Sequence, residues 1–142
     1  MSRFSNAPIV VPTDMSEESL AAVRVALQIA ESPSRIHVLR ILHEQQSSYP
    51  DALGAAIDHS KRRNAALEEL KESLADAECA DLKLCVEFGD PGHRIAEHAE
   101  AIRASLIVMP SHGRRGIKRL LVGSVAERVT RLAHCPVLVL KS

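Results

Sequence analysis

Five short apolar runs alternate along the chain with longer amphipathic segments. The runs are PIVVP at 8–12, RIHVLRIL at 35–42, LKLCVEF at 82–88, SLIVMP at 105–110 and PVLVLK at 136–141. Most are near-continuously apolar, the signature of strands buried on both faces of a parallel sheet. Only 82–88 alternates cleanly, which predicts an edge or half-exposed strand. Between the runs lie four helical patterns. Residues 16–31 follow two good N-caps, Asp14 and Ser16, with Glu17 and Glu18 in the first turn, and Leu20, Val23, Leu27 and Ala30 form one stripe. Residues 52–77 carry Leu67, Leu70 and Leu74, and 91–104 carry Ile95, Ala99 and Ile102, at similar spacing. The last pattern, 124–133, opens with Ser124 as cap and Glu127 three residues on, a capping box. The order βαβαβαβαβ predicts a single-domain α/β protein: a doubly wound, five-stranded parallel sheet with right-handed crossovers and helices on both faces.

In such sheets ligands bind outside the carboxyl ends of the strands, where strand order reverses. That rule draws two segments to one crevice: Pro12-Thr13-Asp14 after the first strand, and 110–125, PSHGRRGIKRLLVGSV, after the fourth. Gly113 and Gly116 allow close backbone approach. Gly123-Ser124 opens the last helix, whose unpaired N–H groups and dipole suit an anion. Arg114, Arg115, Lys118 and Arg119 add local positive charge, the Asp14 carboxylate suits ribose hydroxyls, and Ile41 can pack on a base. Together these describe a nucleotide. Each also has a plain reading: Gly123-Ser124 as a helix start, the basic residues as a solvated loop, and Asp14 as a cap. Neither GxxxxGK[ST] nor GxGxxG is present.

Composition narrows the partners. The 142 residues carry 18 Lys+Arg and 18 Asp+Glu, so no global field attracts nucleic acid or an anionic membrane, and any anion site must be local. One Tyr, two Phe and no Trp leave no platform for stacking single strands. Cys79, Cys85 and Cys135 have no CxxC spacing and suit a reduced chain. No leader-like or membrane-spanning run is seen, and a cytoplasmic protein is expected. His93 and His98 are five residues apart, off a common helical face, and no metal site is expected. Ser111 and His112, being adjacent, are expected to point apart, which offers no nucleophilic dyad.

The chain resembles the universal stress protein family over its whole length. The matching pieces are IVVPTDMSEESLAAVRVAL, GDPGHRIAEHAE and PSHGRRGIKRLLVGSVAERVTRLAHCPVLVL. ATP-binding members carry G-x2-G-x9-G-[S/T], and here the nine-residue spacer between Gly113 and Gly123-Ser124 is intact. The resemblance implies strand order 3-2-1-4-5, a homodimer formed through the last strand, and bound ATP with Mg2+ or Mn2+. It places Pro12, Thr13 and Asp14 on adenosine, Ile41 beside adenine, Met109 and Pro110 near ribose, and Gly113, Gly123, Ser124 and Val125 around the phosphates. The first motif glycine is Pro110 here, a departure that removes an N–H; Arg40 and Ser105 are lesser ones. The expected function is an ATP-binding, dimeric stress-response regulator acting through protein partners, and not an enzyme. The alternatives are a nucleotide-free dimeric interaction module of the same fold and, last, a slow ATPase.

Overall fold

The computed structural model describes residues 6–44, 48–113 and 122–141. Its strands are β1 (Ile9–Thr13), β2 (Ile36–Leu42), β3 (Lys83–Phe88), β4 (Leu106–Pro110) and β5 (Val137–Leu140). Four helices alternate with them: α1 (Glu17–Ile29), α2 (Ala52–Ser73), α3 (Pro91–Ala101) and α4 (Ser124–Leu132). The strands form one sheet in the order β3-β2-β1-β4-β5, with every neighbouring pair parallel.

The apolar runs work as strands because successive residues feed opposite faces. Ile9, Val11, Ile36, Val38, Leu106 and Val108 join a core under Ala22, Val23 and Ala26 of α1 and Leu70 of α2. Val10, Leu39, Ile107 and Met109 join the opposite core with Ile95 and Ala99 of α3 and Ala126 and Val129 of α4. Both faces of the central strands are thus covered, which explains their unbroken apolar sequence. The strand with alternating residues, β3, is at the sheet edge, as its pattern predicts.

The α1 stripe is rotated from the one expected. Ser19, Ala22, Val23 and Ala26 are its buried positions, while Leu20, Leu27 and Ala30 are half-buried. Small side chains at 19, 22 and 26 let this helix approach the sheet closely, so the larger leucines flank the contact. Helix α2 stops at Ser73, where the Leu74 N–H turns back to the Leu70 and Lys71 carbonyls; residues 77–79 form a separate 3-10 turn.

Helix α3 is fastened at its start by Asp90. One carboxylate oxygen accepts from the His93 backbone N–H at 3.1 Å and lies 2.7 Å from His93 Nδ1; the other accepts from Arg128 of α4 at 2.9 Å. The His93 side chain first, then its backbone N–H and Arg128, hold the Asp90 pKa down to about 2, from 3.8. Because the folded value is depressed, this contribution to stability is complete above the unfolded value and is lost as pH falls toward the folded one. The stability difference between the native protein and Asp90→Asn, which keeps a capping side chain, is therefore expected to shrink between about pH 5 and pH 2. Chemical denaturation across that range checks it, and a constant difference would assign the carboxylate no electrostatic role.

Candidate functional site

The sheet changes direction between β1 and β4. β1 runs on to Thr13 and β4 to Pro110, but their pairing is Ile9–Leu106 and Val10–Ile107 only. Each strand carries a proline near its carboxyl end, Pro12 and Pro110, which supplies no N–H to a ladder. The two strands therefore part toward their carboxyl ends, at the position where open α/β sheets take ligands in a crevice.

One wall is the β1–α1 turn. Thr13 is buried and its hydroxyl is committed: it accepts from the Met15 N–H at 3.0 Å and lies 2.8 Å from Ser19 Oγ. Ser19 Oγ donates to the Ser16 carbonyl, so the Thr13 hydroxyl is the donor in that pair. Thr13 can therefore meet a ligand through its backbone alone. Met15 takes a left-handed φ of 69°, which throws Asp14 outward onto the rim. Asp14 is not the helix cap. Ser16 is, accepting from the Ser19 N–H at 3.1 Å, while Asp14 Oδ1 accepts from the Ser16 N–H at 3.0 Å and is held in place by it.

The other wall is the start of α4. Gly123 is the N-cap and makes no side-chain capping bond; Ser124 is the first helical residue and is exposed. The expected Ser124–Glu127 capping box is absent, because the chain enters the helix one residue earlier. The Glu127 N–H donates to the Gly123 carbonyl, and its carboxylate pairs with Arg131 at 3.2 Å. The Ser124 hydroxyl and the first-turn N–H groups thus face away from intrahelical duties.

Glycine at 113 and 123 is required by close packing within the protein, and not by an unusual dihedral at 123. A Cβ on Gly123 would lie 2.8 Å from the Ser111 carbonyl oxygen, and Gly123 itself has φ −72°, open to any residue. A Cβ on Gly113 would run into the Asp14 carboxylate. The two glycines let the β4 loop close on both walls at once. The Gly123 N–H donates to the Ser111 carbonyl at 2.6 Å, and the Ser111 N–H to the Leu140 carbonyl of β5 at 2.8 Å.

Ser111 and His112 do not point apart as expected. The turn leaving β4 brings Ser111 Oγ to 3.1 Å from His112 Nδ1. Ser111 is 3% exposed, too enclosed for a nucleophile. The His112 ring lies beside Gly123, and its buried Nε2 has no hydrogen-bond partner among the described residues.

The remaining expected residues divide. Met109 is 4% exposed and packs in the core, leaving only its backbone for a ligand. Pro110 ends β4 at the crevice, Ile41 is half-buried near the end of β2, and Val125 is 38% exposed on the first turn of α4. Arg40 turns to the opposite layer, bonding Glu69 of α2 at 2.9 Å. Arg114, Arg115, Gly116, Lys118 and Arg119 lie outside the described residues. The histidine and serine contributions, His112 and Ser111, were missed by sequence reasoning because no spacing rule links adjacent residues across a strand-end turn.

A parallel sheet in the order 3-2-1-4-5, with helices on both faces and a helix N-terminus beside the point where strand order reverses, defines a doubly wound α/β protein. The sequence profile of the universal stress protein family matches residues 6–141, and the chain belongs to that family. It is 38% identical over 137 residues to universal stress protein MJ0531 of Methanocaldococcus jannaschii, covering 94% of this chain and 81% of that one. It is 32% identical over 138 residues to universal stress protein YxiE of Bacillus subtilis, covering 91% and 93%. Among solved structures, protein MJ0577 superposes with a TM-score of 0.75 at 25% identity, over 99% and 98% of the two chains. A universal stress protein in complex with cAMP superposes with a TM-score of 0.66 at 27% identity, over 94% and 96%. No helix among the described residues is long and apolar enough to cross a membrane.

Proposed function

We propose that the crevice binds ATP, accompanied by Mg2+ or Mn2+, and that the protein is a cytoplasmic, dimeric stress-response regulator working by nucleotide occupancy rather than turnover. The observation that carries this reading is the start of α4, which has no side-chain cap among the described residues and is drawn by the Gly123 N–H against Ser111 of the loop leaving β4. Its first-turn N–H groups, which lack intrahelical acceptors, the Ser124 hydroxyl and the His112 Nε2, which has no partner among the described residues, suit phosphate oxygens. The backbones of Pro12, Thr13, Met109 and Pro110 form the nucleoside floor, Asp14 meets ribose hydroxyls, and Ile41 packs beside the base. Val125 borders the phosphates. The divalent ion is held chiefly by phosphate oxygens and water, as Mg2+ commonly is. The structural relative in complex with cAMP supports an adenine nucleotide as the class of ligand.

Mass spectrometry of small molecules released on denaturing protein purified without added ligand tests the reading. ATP is the expected species; cAMP or AMP alone would change the ligand, and no nucleotide, with no calorimetric heat on adding magnesium-ATP, would overturn it.

Pro110 weakens this site without closing it. The Ile107 and Ser111 N–H groups both donate to β5, so the alternate position, 110, turns toward β1 and the crevice. Its missing N–H is thus a donor lost on the ligand side, worth about 0.5–1.5 kcal/mol. Pro110→Gly is expected to bind magnesium-ATP as well as the native protein or up to about tenfold more tightly. Native protein that binds nothing while Pro110→Gly binds would show that the proline has switched the site off.

A further inference from the structure

We propose that His37, Cys85 and His98 form a zinc site on the face of the sheet covered by α3, separate from the nucleotide crevice. The expectation of no metal rested on spacing along the chain, and these residues come from three different elements. His37 is the second residue of β2, Cys85 is the third of β3, and His98 is in α3. The parallel register pairs His37 with Lys83 and Leu39 with Cys85. Cys85 thus stands diagonally across from His37, and α3 brings His98 to both.

The geometry is that of a ligand set. One donor atom from each residue, two imidazole nitrogens and a sulfur, lies within 4.8 Å of the others. Tetrahedral zinc, with bonds of about 2.0–2.3 Å, needs donors about 3.3–3.6 Å apart, so side-chain rotations of roughly 1 Å suffice. The His37 and His98 rings are 6.2 Å apart and inclined at 60°, not stacked. All three residues are half-buried, which leaves an ion a way in and room for water as a fourth ligand.

His98 supplies an independent pointer. Its Nδ1 lies 3.2 Å from Glu87 Oε1, and an ionised carboxylate can only accept, so the proton is on Nδ1. In the neutral ring with that proton on Nδ1, Nε2 is the nitrogen that offers a lone pair to a metal. It is buried and has no hydrogen-bond partner among the described residues, although its side chain is only 12% exposed. A carboxylate orienting one imidazole nitrogen so that the other can bind metal is the usual outer support of zinc sites. Glu87 is the positioning residue here, and it brings negative charge to offset nearby Lys83. The second group of donors, Asp76, Glu78 and Cys79, is different: Arg24 already bridges both of its carboxylates. Zinc at the first cluster would tie α3 to the β2–β3 edge, near the amino-terminal half of β2, whereas the crevice lies outside the carboxyl ends of the strands.

Reduced, chelator-treated full-length protein titrated with Co2+ and then Zn2+ tests the proposal. One cobalt per chain is expected, with tetrahedral visible bands and a near-ultraviolet thiolate charge-transfer band, all displaced by one zinc. Cys85→Ser should remove the charge-transfer band, His98→Gln should weaken zinc binding more than tenfold, and Glu87→Gln should weaken it about 10–100-fold without touching the ion. Cys79→Ser and Cys135→Ser should change nothing. A measurement on the native chain guards against variants that fail to fold: zinc should protect Cys85, and neither of the other cysteines, from alkylation mapped by mass spectrometry. No saturable cobalt at micromolar protein, a charge-transfer band that survives Cys85→Ser or vanishes with Cys79→Ser, or unprotected Cys85 would each overturn the assignment.

Discussion

Gly123→Val is expected to lose at least about a hundredfold in magnesium-ATP affinity while keeping the fold. The substitution is not opposed by the dihedrals, since φ at 123 is −72°. It is opposed by contact: even the first carbon of a side chain would sit 2.8 Å from the Ser111 carbonyl oxygen. That neighbour is backbone, anchored in turn to β5 through the Ser111 N–H, and cannot rotate away. The start of α4 must withdraw instead, and its first-turn N–H groups withdraw with it. A hydrogen bond to a charged phosphate is worth about 1.5–3 kcal/mol. Losing two such bonds costs about 3–6 kcal/mol, roughly two to four decades in affinity. Calorimetry at matched protein concentration reads this directly, with circular dichroism confirming that the sheet and helices persist. Equal affinity in the native and Gly123→Val proteins would remove the nucleotide from this crevice altogether.

The sequence reveals part of this arrangement and hides the rest. The glycines at 113 and 123 were conspicuous because the nine-residue spacer between them matches the pattern of the ATP-binding members. The protein contacts they clear were not visible: the Asp14 carboxylate beside Gly113 and the Ser111 carbonyl beside Gly123. Strand faces were readable because alternation is local, as in Ile9, Val10 and Val11, which divide between the two cores. The stripe of α1 was misjudged by a fraction of a turn because hydrophobicity favours Leu20 and Leu27, whereas close packing favours Ser19, Ala22 and Ala26. Helix starts were readable to within a residue, and that residue decided whether Ser124 caps the helix or faces the crevice. The His37–Cys85–His98 cluster had no sequence signal, since only the β2–β3 register and the placement of α3 bring the three together.

Leu138→Lys is expected to convert a dimer into a monomer at micromolar concentration with little change in melting temperature. β5 is an edge strand, and no described residue pairs with its outer side. The Pro136 and Leu140 carbonyls accept from β4, so residues 137 and 139 turn their backbone groups outward, away from the described sheet. Leu138 is 37% exposed and belongs to neither core, whereas Val137 and Val139 pack partly against the α3–α4 side. A short apolar edge of this kind invites another strand, and its own copy across a two-fold axis satisfies both edges at once. Lysine on an edge strand opposes such pairing, and across a two-fold the two charges would approach one another. The position is exposed, so the monomer's own packing is spared. Light scattering on native and variant protein checks the pair of outcomes. A native monomer would show that the β5 edge is not a dimer interface, and a fully dimeric Leu138→Lys would move the interface to another surface.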